Sequence, residues 1–99
     1  MDEDFEGYLM QVPEEKKFWC KNGEAISDLK QLANSLKKMD EEVYRFHANE
    51  DRNDFSSWVY DVIGDVKLAQ NILKANDKEE ASRKVKTRIT YLKKKIASV

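Results

Sequence analysis

From Glu24 onward the apolar residues return every three or four positions, which is the period of amphipathic helices and not of strands. Ala25, Ile26, Leu29, Leu32, Ala33 and Leu36 fit the i, i+3, i+4, i+7 template, with lysines and polar residues between them. A break follows at Lys38, Met39 and Asp40. Asp40 is placed to cap a short second helix, with Glu41 and Glu42 at its positive start and Val43, Tyr44, Phe46 and His47 along it. After a polar loop, Asn53 or Asp51 caps a third helix whose inward stripe is Phe55, Trp58, Val59 and Val62. Gly64 suits a left-handed helix terminus, and Asp65 opens a short helix through Leu68, Ala69, Ile72 and Leu73. Asp77, with Glu80 three residues on, has the form of a capping box. The last helix then runs from about Lys78 to Ala97, roughly 30 Å by the helical rise. Its apolar positions are Ala81, Val85, Ile89 (with Arg88 beside it), Leu92 and Ile96, close to a heptad seam.

The first 23 residues lack this period. Residues 1–13 read as an extended arm with a frayed start, a short apolar patch (Tyr8, Leu9, Met10, Val12) and Pro13 as its stop. Phe18, Trp19 and Cys20 favour a short extended piece, and Asn22-Gly23 marks a turn or a helix entry. The expected fold is therefore all-α: a compact bundle of four to five helices with an irregular N-terminal arm and a long C-terminal helix. Its expected parts are an acidic arm at 1–15, a helical core at 16–76 and a basic helix at 77–99, packed on the core or extending from it.

Ninety-nine residues suit one domain. With 40% hydrophobic and 37% charged residues, three Gly and one Pro, the chain is neither collagen-like nor low-complexity. No window approaches the roughly 18 apolar residues a membrane span requires. Net charge is −1, yet it is unevenly spread. Residues 1–15 hold six acids and no base, whereas residues 77–99 hold three acids and eight bases. Such opposite ends attract each other or face a partner. The single cysteine, Cys20, forbids an intrachain disulfide and points to a reducing, cytoplasmic setting. The acidic start is opposite in sign to that of a secretory signal.

Candidate chemistry concentrates between Arg45 and Asp65. His47, the only histidine, would act as a general base if Asp54 or Asp61 oriented it. No Ser-His or Cys-His arrangement accompanies it, and a histidine at a helix end is more simply a satisfied structural group. Asp54, Trp58 and Asp61 recur at i, i+4, i+7 and share a helix side. Their carboxylates are spaced about 10 Å along the axis, too far for a retaining glycosidase pair and marginal for an inverting one. His47, Asn53, Asp54, Trp58 and Asp61 therefore form a candidate structural or binding corner. One His and one Cys make no zinc pattern, the acidic loop lacks calcium-hand spacing, and no phosphate-cradling Gly loop exists. No metal, cofactor or catalytic residue is expected.

The second candidate is the basic surface of the last helix, Arg83, Lys84, Lys86, Arg88, Lys93, Lys94 and Lys95. It fits a pairing helix for a protein partner or homo-oligomer, or a contact with nucleic acid or an acidic membrane surface. Its plainest reading is a solvated face whose seam packs on the chain's own core. The function expected overall is a non-enzymatic interaction module, with nucleic-acid binding and a small His47 enzyme as alternatives.

Taken together, Asn22-Gly23, the leucines at 29, 32 and 36, and Tyr44 with His47 make up the first half of a longer pattern. Asn53-Asp54-Phe55 with Trp58, and Gly64-Asp65 with Leu68-Ala69, continue it. This pattern resembles a small helical domain family of unknown function found in archaea and some bacteria. The resemblance covers about residues 15–75 and leaves out the acidic arm and the basic helix. It implies a helical fold, a cytosolic context and a domain found alone or joined to other modules. It implies no established activity.

Overall fold

Short polar side chains set where most of the helices begin. The computed structural model describes residues 4–98, and among these it has six α-helices. They are α1 (Phe5–Leu9), α2 (Leu29–Lys38), α3 (Glu41–His47), α4 (Asp54–Trp58), α5 (Val66–Leu73) and α6 (Lys78–Ala97). Asp28, Asn53, Asp65 and Asp77 each accept a hydrogen bond, at 2.8–3.2 Å, from the backbone N–H three residues on. Each bond satisfies a donor that a first helical turn leaves without a partner. The box at Asp77 is altered, because Glu80 Oε1 accepts from the Asn76 N–H rather than from that of Asp77. Asp40 occupies the expected cap position of α3 but makes no capping side-chain bond. The acids Glu41 and Glu42 in the first turn are left to oppose the positive helix end.

The chain is mostly helical, as its period requires, but it has one or two helices more than the four to five expected. The addition is α1, so the arm is not irregular throughout. Asp4 caps α1 through the Gly7 N–H at 3.0 Å. Phe5, Tyr8 and Leu9, at i, i+3, i+4, are half-buried against the core, and Phe5 meets Tyr91 of α6 edge-on at 6.3 Å. Five residues cannot hold a helix alone, so packing decides this one. A 3₁₀ turn at Glu14–Lys16 follows. Residues 1–3, with two of the arm's acids and part of its frayed start, lie outside the described residues, as does Val99.

The extended piece near Phe18 is strand β1 (Phe18–Trp19), antiparallel to β2 (Ala25–Ile26), with Phe18 opposite Ile26. Ala25 and Ile26 were expected in the first long helix, but pairing with β1 takes them as strand, and that helix begins at Leu29 after its Asp28 cap. Gly23 turns the hairpin at φ +94°, a conformation that L side chains rarely adopt. Phe18 and Ile26 are buried, while Trp19 points outward and is 63% exposed. The arm is tied to this hairpin where the Val12 N–H donates to the Ser27 carbonyl at 2.8 Å.

The core lies between α2 and α6, and α4 and α5 extend it. Leu29, Leu32 and Leu36 of α2 and Ala81, Val85 and Leu92 of α6 are wholly buried. Ser82 Oγ donates to the Ala33 carbonyl at 2.8 Å and locks the register of the two helices. Ile89 and Ile96 are half-buried. The seam of the last helix is thus used within the chain. Phe55, Val59, Leu68 and Ile72 fill the other half, where Ser56 Oγ donates to the Ala69 carbonyl at 2.7 Å.

After Trp58 the chain continues as a π-turn, Val59–Ile63, closed by the Gly64 N–H on the Val59 carbonyl at 2.7 Å. The extra residue in that turn moves the inward position from the expected Val62, which is half-buried, to Ile63, which is buried. Gly64 ends it at φ +90°, as its type requires. The radius of gyration is 12.9 Å, matching the about 13 Å of a compact chain of this length. Among the described residues no helix is long and apolar enough to cross a membrane.

Candidate functional site

The end of α3 and the start of α4 meet because the loop between them folds back on itself. Ala48 and Asn53 form an isolated antiparallel bridge, and Asn49 Oδ1 accepts from the Asp51 N–H at 2.9 Å. This brings His47 Nδ1 to 2.9 Å from Asp54 Oδ2. On its other side His47 Nε2 is 3.0 Å from the backbone N of Lys21, just beyond the hairpin strand β1. A backbone N–H can only donate, so Nε2 is the acceptor and the ring proton sits on Nδ1, donating to Asp54. The tautomer thus follows from the hydrogen-bond network. The ring is 5% exposed and is met edge-on by Phe46, Phe18 and Phe55 at 4.9–5.3 Å.

The other corner residues divide. Asn53 serves as the α4 cap. Asp54 also receives Arg52 Nε at 3.2 Å, and Arg52 donates a further bond to the Phe46 carbonyl at 3.1 Å. Trp58 is buried, meets Phe18 edge-on, and its indole N–H donates to the Lys16 carbonyl at 2.8 Å. Asp61 does not join them. It is exposed on the π-turn, and its side chain makes no hydrogen bond or ion pair among the described residues. His47, Asp54 and Trp58 therefore converge on Phe18 and Phe55, and the polar atoms of the first two are used inside the chain. A general base needs an open lone pair, and that of Nε2 is taken by Lys21.

The part played by Lys16, Lys21 and Phe18 was not readable from sequence. All three precede the helical region, and backbone groups leave no mark on residue type. The Trp58 bond predicts that Trp58→Phe destabilises the chain by about 1–2 kcal/mol, since it removes one hydrogen bond and some packing volume. Thermal denaturation measures the loss, and proteolysis within 10–17 should quicken as the Lys16 turn is released.

Cys20 is buried and unpaired in a disulfide. Burial raises the Tyr44 phenol above its usual value; Arg45 opposes this, and Asp77, Glu41 and Glu80 add to it. Among the described residues no three His, Cys, Asp or Glu side chains come together as a metal-holding group.

The seven candidate basic residues of α6 fall into three sets. Arg88 is mostly withdrawn from solvent, at the base of the face. Its Nε and terminal nitrogen bind Asp65 at 2.8 and 2.9 Å, with the two side chains 10% and 1% exposed. Lys95 lies over the Tyr91 ring at 5.6 Å, and Lys84 lies 3.7 Å from Glu80 one turn back. Arg83, Lys86, Lys93 and Lys94 are exposed and make no ion pair among the described residues.

Between α5 and α6 runs an open groove of about 660 Å³. Lys67 and Asn71 of α5 face Arg83, Lys84, Thr87 and Arg88 of α6 across it, with Tyr91 at the helix's next turn. Positions 83, 84, 87, 88 and 91 share one helix side, and 67 and 71 stand one turn apart. Lys67 was absent from the sequence-derived basic surface, because periodicity within α6 cannot reveal what a neighbouring helix brings to it. No protein-family model, curated protein or solved structure matches this chain.

Proposed function

We propose that this chain is a non-enzymatic interaction module that presents the outer side of α6 to a partner. The observation that carries this reading is the contrast between its two candidate sites. His47 and Asp54 spend their polar atoms on each other, on Arg52 and on the Lys21 N–H, whereas Arg83, Lys86, Lys93 and Lys94 face solvent with no ion pair among the described residues. Exposed cations held on a rigid, internally packed helix attract and orient a negatively charged partner without chemistry. The heptad-like seam is engaged with α2 within the chain, so a homo-oligomer would use this charged side or the exposed aromatics instead.

The test is a photo-reactive residue placed at Lys94 of the full chain in its native cells. An adduct is expected, lost when Lys86 and Lys93 become Glu, with Tm shifted by no more than surface substitutions cause, about 0.5 kcal/mol each. Light scattering of the same protein at rising concentration separates a second copy from a different partner. A monomer that yields no adduct at all would overturn the reading.

A further inference from the structure

We infer that the groove between α5 and α6 is a binding site for the phosphate backbone of a nucleic acid. The inference rests on the interaction reading above and names the class of partner. Cations on one helix are ordinarily a solvated face, spread apart and pointing into water. Here they come from two helices and converge: Lys67 from one side, Arg83, Lys84 and Arg88 from the other. Like charges brought together destabilise the chain that carries them. Among the described residues Lys67 and Arg83 make no ion pair. Asp65 holds Arg88 in a fixed bidentate pair, and Glu80 stands at a long 3.7 Å from Lys84. Both side chains are half-buried, but at that distance they make no hydrogen bond, so Lys84 keeps its donors for an incoming anion. Asn71 and Thr87 add neutral hydrogen-bonding groups beside the charges.

The lining also decides between kinds of polyanion. Tyr91 is its one aromatic group, and its ring is already occupied by Arg88 at 5.1 Å, Lys95 at 5.6 Å and Phe5 edge-on. A peptide gains most of its affinity by seating apolar anchors, and the groove offers no pocket for one. A nucleic-acid backbone needs only cations and donors, without base contacts. The groove therefore suits a sugar–phosphate strand, bound without sequence preference.

Fluorescence anisotropy of a labelled mixed-sequence single strand with the full chain tests this. Lys67, Arg83 and Lys84 supply three phosphate contacts, and single strands lose about 0.7 in logarithmic salt slope per contact. The slope should be near −2, so binding falls about fifteen-fold from 50 to 200 mM salt, and only about sevenfold in Lys67→Gln. The triple variant with Gln at 67, 83 and 84 should lose the slope and bind at least tenfold more weakly at low salt. Lys38→Gln, outside the groove, should match the parent. Binding unchanged by the triple replacement would overturn the groove assignment. So would binding of a polyglutamate peptide but not of the strand, or binding of neither. In each of those three cases the adduct at position 94 still decides, separately, whether the interaction module stands.

Discussion

Arg88→Met is expected to lower the stability of the chain by about 3–5 kcal/mol. The size follows from what remains behind. Asp65 is 1% exposed, and its carboxylate accepts Arg88 at 2.8 and 2.9 Å while also capping α5 through the Leu68 N–H at 3.2 Å. With Arg88 gone, a charged carboxylate stays buried between α5 and α6 with one backbone donor to balance it. Against a total stability of roughly 5–15 kcal/mol, the expected fall in Tm is about 20 °C. The pair itself is a weaker source of stability than its loss implies, because both ions gave up water to form it. Combining Arg88→Met with Asp65→Asn should therefore recover most of the loss, since Asn still caps a helix and leaves no buried charge. Chemical denaturation of the parent, both singles and the double measures the coupling. If Arg88→Met lies within 1 kcal/mol of the parent, the ion pair does not hold these helices together.

This pair marks the boundary of what the sequence made legible. Asp65 was readable as a cap because capping is local: the acceptor and the Leu68 N–H lie three residues apart. Arg88 looked like a member of the basic face because its partner lies 23 residues away, and no period within α6 reports it. The same division holds elsewhere. The bounds of α6, the extended piece at Phe18 and the αL end at Gly64 all follow from local rules of period, propensity and backbone freedom. The second strand did not, because Ala25 and Ile26 fit the helical template and become β2 only by pairing with Trp19 and Phe18. α1 did not, because five residues become helical only when Phe5, Tyr8 and Leu9 find the core. The π-turn also escaped, since one inserted residue leaves the composition of the segment unchanged while moving its inward side to Ile63. At the candidate sites the residue types were visible but their partners were not. His47 meets Asp54 and a backbone N–H, and the α6 cations meet Lys67 from α5.

His47→Ala is expected to destabilise the chain by about 2–4 kcal/mol, the second largest effect we anticipate. Two losses add. The imidazole fills a space among Phe18, Phe46 and Phe55, and its removal leaves a cavity there. It also leaves the Lys21 N–H without its acceptor and Asp54 with Arg52 alone. The two bonds can be separated by substitution. His47→Gln can present an oxygen to the Lys21 N–H but not serve Asp54 at the same time, and His47→Asn can donate to Asp54 but falls short of Lys21. Each should lose less than alanine does. Exchange of the Lys21 amide should quicken in the Ala and Asn variants more than in the Gln variant, a local signature that a general loss of stability would not produce. Nitrogen NMR of the parent ring should find the proton on Nδ1 and a bare Nε2, because only that tautomer serves both neighbours. A proton found on Nε2, or a His47→Ala variant as stable as the parent, would remove the structural role and return this histidine to the catalytic reading. The charged side of α6 would then no longer be the stronger of the two candidate sites.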